Sequence, residues 1–473
     1  MQGVKIIESE IDGLKIPISR AGENTIDDNY FTVIIGTNAS GKSRLLVNIL
    51  NTLRRVSNPR LKSKSNITKL TIELGDQVIF LDDEDHPMSI SEDLKHLNLI
   101  SISNSLFDKF PHQAKTDTNY SYIGSRMVGL STHKRSIVND LMDVFSENLD
   151  DNNFIDKAIQ LFEFLQIPPI IRISLRISNI SGRGKLDELL HRAQNPQELK
   201  DFLFEISQRG FYRQQAKKLA SLVENDYFIE GLYNFLNNDF RQIRNSSAHE
   251  RLEYEIDLTN KIKNESFIKE YKYFSLLRRL NFITYDYIKL NKNGYEYDIL
   301  ESSTGEIGLL TTFVRAIPEM ESNSVIFIDE PEISLHPSWQ MRYVELLKKF
   351  LAGYSGCHIL IATHSHFLLS DLKDAWSSVL ILKNNNGTIE ANLKKKTPFG
   401  WSPEAILYDV FEVSTVRNHY FEKDLRLLLS LISNRSKDHN NIENLIASFK
   451  KFDYLKGDPL EKIISEAENY LKK

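Results

Sequence analysis

The sequence is poor in the features that mark a protein outside a reducing compartment. A single cysteine, Cys357, in 473 residues excludes an internal disulfide and any cysteine-based zinc site. No stretch approaches the roughly 18 uninterrupted apolar residues of a membrane-spanning helix. The N-terminal MQGVKIIESEIDGLKIPISR alternates polar and apolar residues and lacks the apolar centre of a secretory leader. A soluble, cytoplasmic protein with no membrane partner is the expectation. Excess charge is missing too. The 59 basic and 64 acidic residues leave a net charge of -5, which excludes a strongly basic nucleic-acid binder but leaves room for local patches. Internal repeats, low-complexity segments and sustained heptads are also absent, so long coiled-coil arms are not expected.

At this length the chain can bury a large core and carry more than one lobe. Strand patterns fill the first 30 residues, and FTVIIG leads into a helix from about Ser43 to Leu53 with Leu45, Leu46, Ile49 and Leu53 on one face. ITKLTIEL and QVIFL form a hairpin on a Gly-Asp turn, and LNLISIS is a further apolar strand. Between residues 134 and 272 helical spacing dominates, with IIRISLRIS as the strand-like exception. FITYDYIKLNKNGYEYDIL reads as a second hairpin. Beyond it come a helix from about Gly305 to Ile317, the strand SVIFID, a helix after HPSWQ and the strand HILIAT. SVLILK and TIEANL flank NNNG, and the last 70 or so residues read as charged amphipathic helices. Strands alternating with helices indicate an α/β protein with a mostly parallel sheet, an inserted helical lobe and a helical C-terminal extension. The expected divisions are 1–133, 134–272, 273–395 and 396–473.

Gly36-Thr37-Asn38-Ala39-Ser40-Gly41-Lys42-Ser43 fits the phosphate-loop pattern GxxxxGK[ST], placed after an apolar strand and before a helix as that pattern requires. Its glycines let backbone N–H groups curl round a phosphate, and the helix N-terminus adds its positive end. Gly36, Asn38, Ser40, Gly41, Lys42 and Ser43 are therefore the candidate nucleotide-binding residues. Lys42 would reach the β- and γ-phosphates of ATP, and the Ser43 hydroxyl would ligate Mg2+. SVIFIDEPE ends an apolar strand on Asp329, a second candidate Mg2+ ligand, and Glu330, a candidate base for the attacking water. HILIATHSHFLL ends a third strand at His364, which could contact the γ-phosphate and that water. Ser303 and Gly305 in ESSTGEIGLL stand before an amphipathic helix, a second place to bind an anion. One subunit cannot easily bring two helix N-termini onto one γ-phosphate from opposite sides, whereas a second copy can.

In this order the four pieces resemble the ATP-binding-cassette ATPases. Residues 36–43 match Walker A, 302–306 the signature motif, Asp329 and Glu330 Walker B, Ser334 and Leu335 the D-loop, and His364 the switch histidine. Thr304 stands where the family usually has a smaller residue, which weakens the expected signature contact. The resemblance implies a homodimer, or a higher homo-oligomer, with ATP sandwiched between Walker A of one subunit and the signature of the other. No glutamine, Gln77 included, stands out as the Q-loop residue. In transport cassettes the signature follows Walker A closely, whereas here the helical lobe intervenes. That spacing, with DEPEISLHP and ATHSHFLL, is similar to the soluble branch of RecF, SMC and overcoming-lysogenization-defect (OLD) ATPases, which belongs to the broader AAA family. More narrowly, LISISNSLFDKF, YSYIGSR, DEPEISLHPSWQ and GWSPEAILYDVFEV resemble the PtuA-type ATPases of Septu and retron-associated anti-phage defence systems.

That resemblance implies a regulatory ATPase working with a separately encoded, PtuB-like HNH nuclease. The chain shows neither the strand-end glutamate and later Asp-x-Asp of a Toprim nuclease after residue 401 nor an HNH-like cluster. The rival expectation is a DNA-binding repair or recombination ATPase of the SMC and RecF kind. LRRVSNPRLKSKSN, with Arg54, Arg55, Arg60, Lys62 and Lys64, could touch DNA phosphates, although a solvated helix end and loop is the plainer reading. KKK at 394–396 is a weaker candidate for such contact.

Overall fold

The computed structural model describes residues 3–20, 29–58, 61, 65–82, 92–105, 107–113, 117–124, 134–177, 188–192, 194–208, 222, 224–245, 251–385, 387–401, 405–407, 410, 419–436, 438–451 and 459–471. The chain divides into two compact units, residues 1–400 and 401–473.

The larger unit is built on a seven-stranded sheet. Its order is β15 (Thr388–Leu393), β14 (Ser377–Asn385), β3 (Tyr30–Gly36), β13 (His358–Thr363), β12 (Val325–Asp329), β6 (Leu99–Ser103) and β7 (Tyr120–Gly124). Only the β14–β15 pair is antiparallel. The central strands are mostly apolar and buried on both faces, as a covered parallel sheet requires. Register then fixes what meets at the C-terminal edge. Ile35 pairs with Thr363, Ala362 with Asp329 and Asp329 with Ser103. The loops carrying Walker A, His364 and the Asp-Glu pair therefore leave adjacent strands at the same end.

Helix α1 (Lys42–Ser57) follows β3 and buries Leu45, Leu46, Ile49, Leu50 and Leu53. They join a core shared with the parallel sheet and a second, antiparallel sheet of order β2 (Leu14–Pro17), β1 (Val4–Ile11), β4 (Ile67–Leu74) and β5 (Gln77–Asp82). Each fully buried leucine or isoleucine there contributes about 1.5–3 kcal/mol. His358, wholly buried at the start of β13, ties the two sheets together. Its Nδ1 accepts the Ile6 amide at 2.9 Å, so the ring proton sits on Nε2, 2.9 Å from Thr32 Oγ1. Burial holds this ring neutral, with its pKa lowered to about 3.

After the short α2 (Glu92–Lys95) come α3 (Lys134–Asn148), α4 (Asn152–Phe164), α5 (Pro196–Gln208), α6 (Asp226–Asn245) and α7 (Lys261–Arg279). This region is less purely helical than its spacing suggests. A four-stranded antiparallel sheet runs through it in the order β11 (Tyr295–Asp298), β10 (Ile283–Lys292), β8 (Ile170–Ile177) and β9 (Arg251–Asp257). β9 was not evident because RLEYEID is mostly polar and half-exposed. The NKNG hairpin pairs with β8 of this sheet and not with the parallel one. Buried Lys157 of α4 donates to the carbonyls of Phe350 at 2.7 Å and Ala352 at 2.8 Å, at the end of helix α10 (Tyr343–Phe350). Carbonyls at and just past a helix C-terminus lack partners within the helix, and Lys157 supplies one.

In the smaller unit, α11 (His419–Ser433), α12 (His439–Phe449) and α13 (Pro459–Leu471) pack Leu428, Ile442, Phe449, Leu460 and Ala467 into a core of their own.

Candidate functional site

The phosphate loop is shaped by its backbone. Ala39 and Gly41 have φ of 63° and 96°, a left-handed conformation that costs glycine little. A Cβ on Gly36 would lie 2.1 Å from the Leu382 carbonyl of β14, so only glycine fits there. Residues 37–39 are exposed, and Asn384 Nδ2 steadies the loop by donating to the Ala39 carbonyl at 3.1 Å. No side chain caps the first turn of α1, and Ser40 Oγ is buried without a protein partner. Unsatisfied donors at the mouth of a helix are what an oxyanion needs. Lys42 folds back and donates to the Gly36 carbonyl at 2.9 Å and the Thr37 carbonyl at 3.2 Å. Burial lowers its pKa, against the pull of Glu330, Asp329 and Glu332.

Ser43 Oγ donates to Asp329 Oδ1 at 2.9 Å, which joins the helix after Walker A to the end of β12. Asp329 is 4% exposed, and burial pushes its pKa up to about 6 despite that hydrogen bond. A desolvated carboxylate beside a hydroxyl fits Mg2+, which takes one or two protein ligands and completes its shell with water and phosphate oxygens. No group of three or more His, Cys, Asp or Glu that could hold a metal ion occurs among the described residues. Glu330 adopts φ of 50° while its N–H donates to the Ala362 carbonyl at 2.8 Å. That left-handed geometry is strained for a non-glycine residue and turns the chain out of the sheet. His364 is exposed beyond β13, and burial of its ring and the Lys42 charge lower its pKa, with Glu330 opposing. Lys42 and Glu330 thus both act on the His364 ring, and Glu330 also acts on Lys42.

The hydrogen bonds also expose residues that motif spacing did not single out. Glu332, the last acid of DEPE, accepts the His364 N–H at 2.5 Å and the Thr363 hydroxyl at 2.7 Å. Ser103, at the end of β6, donates to the Asp329 carbonyl at 3.3 Å. Only the strand register, which sequence spacing does not reveal, brings these groups together.

Ser303 caps α8 (Thr304–Ala316) in a reciprocal capping box with Glu306, whose carboxylate also pairs with Lys292. Ser303 and Thr304 are exposed, whereas Gly305 is buried with the Ser334 carbonyl 2.5 Å from where a Cβ would stand. The signature segment therefore rests on the D-loop of its own chain. Gln77 begins β5 and pairs in register with Leu74; at that end of the sheet the Gly75 amide donates to the Gly3 carbonyl, and the Val4 amide to that of Gly356. Gly356 precedes β13, so Gln77 lies at the end opposite the phosphate loop and does not serve it.

The basic stretch that begins in the last turn of α1 needs correction at Arg54. This residue is 4% exposed, donates through Nε to Asp117 Oδ2 at 3.1 Å and lies over the Tyr120 ring. It is a core cation and cannot meet DNA. Arg60, Lys62 and Lys64 lie outside the described residues. No helix among the described residues is long and apolar enough to cross a membrane.

Residues 147–370 match a protein-family model described as AAA domain, putative AbiEii toxin, Type IV TA system. That span begins after the phosphate loop and includes Ser303, Gly305, Asp329, Glu330 and His364. A stretch of 69 residues is 44% identical to the Old nuclease of Escherichia phage P2, covering 15% of this chain and 11% of that protein. The chain thus matches only about a tenth of that relative's length. Similar solved structures include the Smc head domain of Pyrococcus furiosus bound to the C-terminal domain of ScpA, with 11% identity, 88% of this chain and 100% of that chain covered, and a TM-score of 0.31. The recombination mediator RecF-ATPrS gives 13% identity, 82% and 98% coverage and a TM-score of 0.28. The SMC head domain of Thermotoga maritima gives 10%, 83%, 98% and 0.29. At such scores the fold rests on the strand order described above. The comparisons thus show similarity to an AAA-domain family over a little under half of the chain and to the Old nuclease over a short stretch.

Proposed function

We propose that this chain binds and hydrolyses ATP with Mg2+ at the edge of its parallel sheet, and that two copies close over the nucleotide. The Ser43–Asp329 hydrogen bond carries the reading, because it joins the Walker A and Walker B residues across 286 positions of sequence. Bound Mg2+ supplies charge neutralisation at the phosphates. The loop amides of residues 36–43 and the α1 N-terminus hold phosphate oxygens, and Lys42 leaves its loop carbonyls to do the same. Ser43 and Asp329 hold the metal. Glu330 takes the proton of the attacking water, and His364, kept neutral, orients that water. Ser303 and the helix that starts beside Gly305 serve the site of the other copy.

The output of this cycle is control of a separately encoded nuclease of the HNH class, within an anti-phage defence complex of the Septu and PtuA kind. Support comes from the sequence strings shared with that group. The similarity of a short stretch to the Old nuclease also fits a nuclease link. Purification of the tagged chain expressed with its flanking genes, with and without ATP, tests this. A co-purifying nuclease whose cutting responds to ATP is expected. A chain that emerges alone and binds DNA in a salt-dependent way would overturn it in favour of a repair ATPase.

A further inference from the structure

Two loops at the edge of the parallel sheet are joined by a hydrogen-bond relay that runs through Gln340, on helix α9 (Pro337–Met341). Gln340 Nε2 donates to the Leu335 carbonyl of the D-loop at 2.9 Å, and Gln340 Oε1 accepts the Ser365 hydroxyl at 2.6 Å. The Ser365 amide donates to Thr363 Oγ1 at 2.9 Å, and the Thr363 hydroxyl donates to Glu332 Oε2. Glu332 Oε1 closes the relay on the His364 amide. Thr363 is wholly buried and Ser365 is 6% exposed, so the bond between them is shielded from water, whereas both Gln340 bonds are part-buried and the Glu332–His364 bond is exposed. On its other side the D-loop supports the signature helix, where the Ser334 carbonyl leaves room only for glycine at 305.

We propose that Gln340 is a positioning residue for ATP hydrolysis. It couples the D-loop, and through it the signature helix, to the backbone that aims His364. The amide of Gln340 has both polar ends engaged, one on each loop, so neither loop can shift without breaking a part-buried bond or carrying the other with it. A copy of the chain engaged by its signature segment in one site would thereby set the position of His364 in its own site. None of the hydrogen bonds of Gln340 and Ser365 described above reaches Lys42 or the phosphate loop, so variation at these two residues bears on turnover and not on nucleotide capture.

The inference rests on the reading of His364 as a group acting at the γ-phosphate, and the test keeps the two apart. ATP turnover and hydrogen exchange at the His364 amide are measured in the full chain, as wild type, Gln340→Leu, Gln340→Glu and Ser365→Ala. Gln340→Leu, close in volume, should leave KM for ATP unchanged and lower kcat about ten- to a hundredfold, the scale of a misplaced catalytic group. It should also speed exchange at His364 in the absence of nucleotide. Ser365→Ala, which removes one hydroxyl, should do the same and should add nothing to Gln340→Leu in the double variant. Gln340→Glu keeps the acceptor for Ser365 and should recover part of kcat. Wild-type kcat in Gln340→Leu overturns the proposal, even where exchange has risen. If the wild-type chain itself neither binds nor turns over ATP, the functional reading fails. Exchange then decides the relay alone, and unchanged protection at His364 in both single variants overturns it.

Discussion

Single residues at the strand ends carry opposing demands, and these make the first predictions. Among the described residues, Lys42 donates only to two carbonyls of its own loop, so removing it should do little to the fold but deletes a flexible cation from the phosphate loop. Lys42→Ala is expected to abolish ATP binding while leaving the thermal midpoint nearly unchanged; equilibrium binding with calorimetric melting checks both. Glu330→Gln preserves shape and removes the base, so ATP should bind with near wild-type affinity while kcat falls about 100- to 10,000-fold. Ordinary turnover in that variant would remove Glu330 from its role. Arg54 belongs to stability instead. Arg54→Ala strands Asp117, also 4% exposed, as a buried unpaired charge and should cost about 3–5 kcal/mol in denaturant unfolding. The site's main residues were legible because each is the last residue of a long apolar run or belongs to a contiguous motif. Glu332, Gln340 and Ser365 were not, since what they do depends on partners brought close only by strand register.

At the scale of elements, the parallel sheet was readable from SVIFID, HILIAT and FTVIIG, whose continuous apolar runs suit strands covered on both faces. RLEYEID was not, because a half-exposed edge strand carries charges on most of its positions. The NKNG hairpin was legible as a hairpin, but its choice of sheet was settled by tertiary pairing with β8. Two elements also meet closely at Gly305. A methyl group there collides with backbone and not with a yielding side chain, so Gly305→Ala should push the signature helix off the D-loop. ATP binding should survive in that variant and turnover should fall about tenfold or more, as misplacement of this order costs elsewhere.

The junction between β1 and the parallel sheet makes a pH prediction. The His358 ring has its folded pKa lowered to about 3, against about 6.5 in an unfolded chain. The unfolded chain therefore takes up the proton first as pH falls. The contribution of His358 to stability is complete above about pH 6.5 and is lost progressively as pH drops towards 3. Urea midpoints across that range should decline more steeply for the wild type than for His358→Gln, which retains hydrogen bonding without the charge.

For the whole molecule, the account holds that one chain contains both halves of a composite site and cannot assemble them by itself. Walker A, Asp329 and Glu330 open at one edge of the sheet, whereas Ser303 stands exposed at the mouth of another helix. Local sequence showed each half, because phosphate loops and helix caps are written in consecutive residues. The lobe between them was harder to read, since its β8–β11 sheet is assembled from strands scattered over more than a hundred residues. Occupied by ATP and unable to hydrolyse it, the Glu330→Gln chain should associate into dimers that the nucleotide-free chain does not form, seen as a doubling of mass by light scattering.

Central to the whole account is that residues 36–43 with Asp329 make a Mg2+-dependent ATP site, and calorimetric titration of the intact chain with ATP tests it most directly. Saturable binding that needs Mg2+ and vanishes in Lys42→Ala is the predicted result. Equal heats from wild type and Lys42→Ala, or none from either, would contradict it.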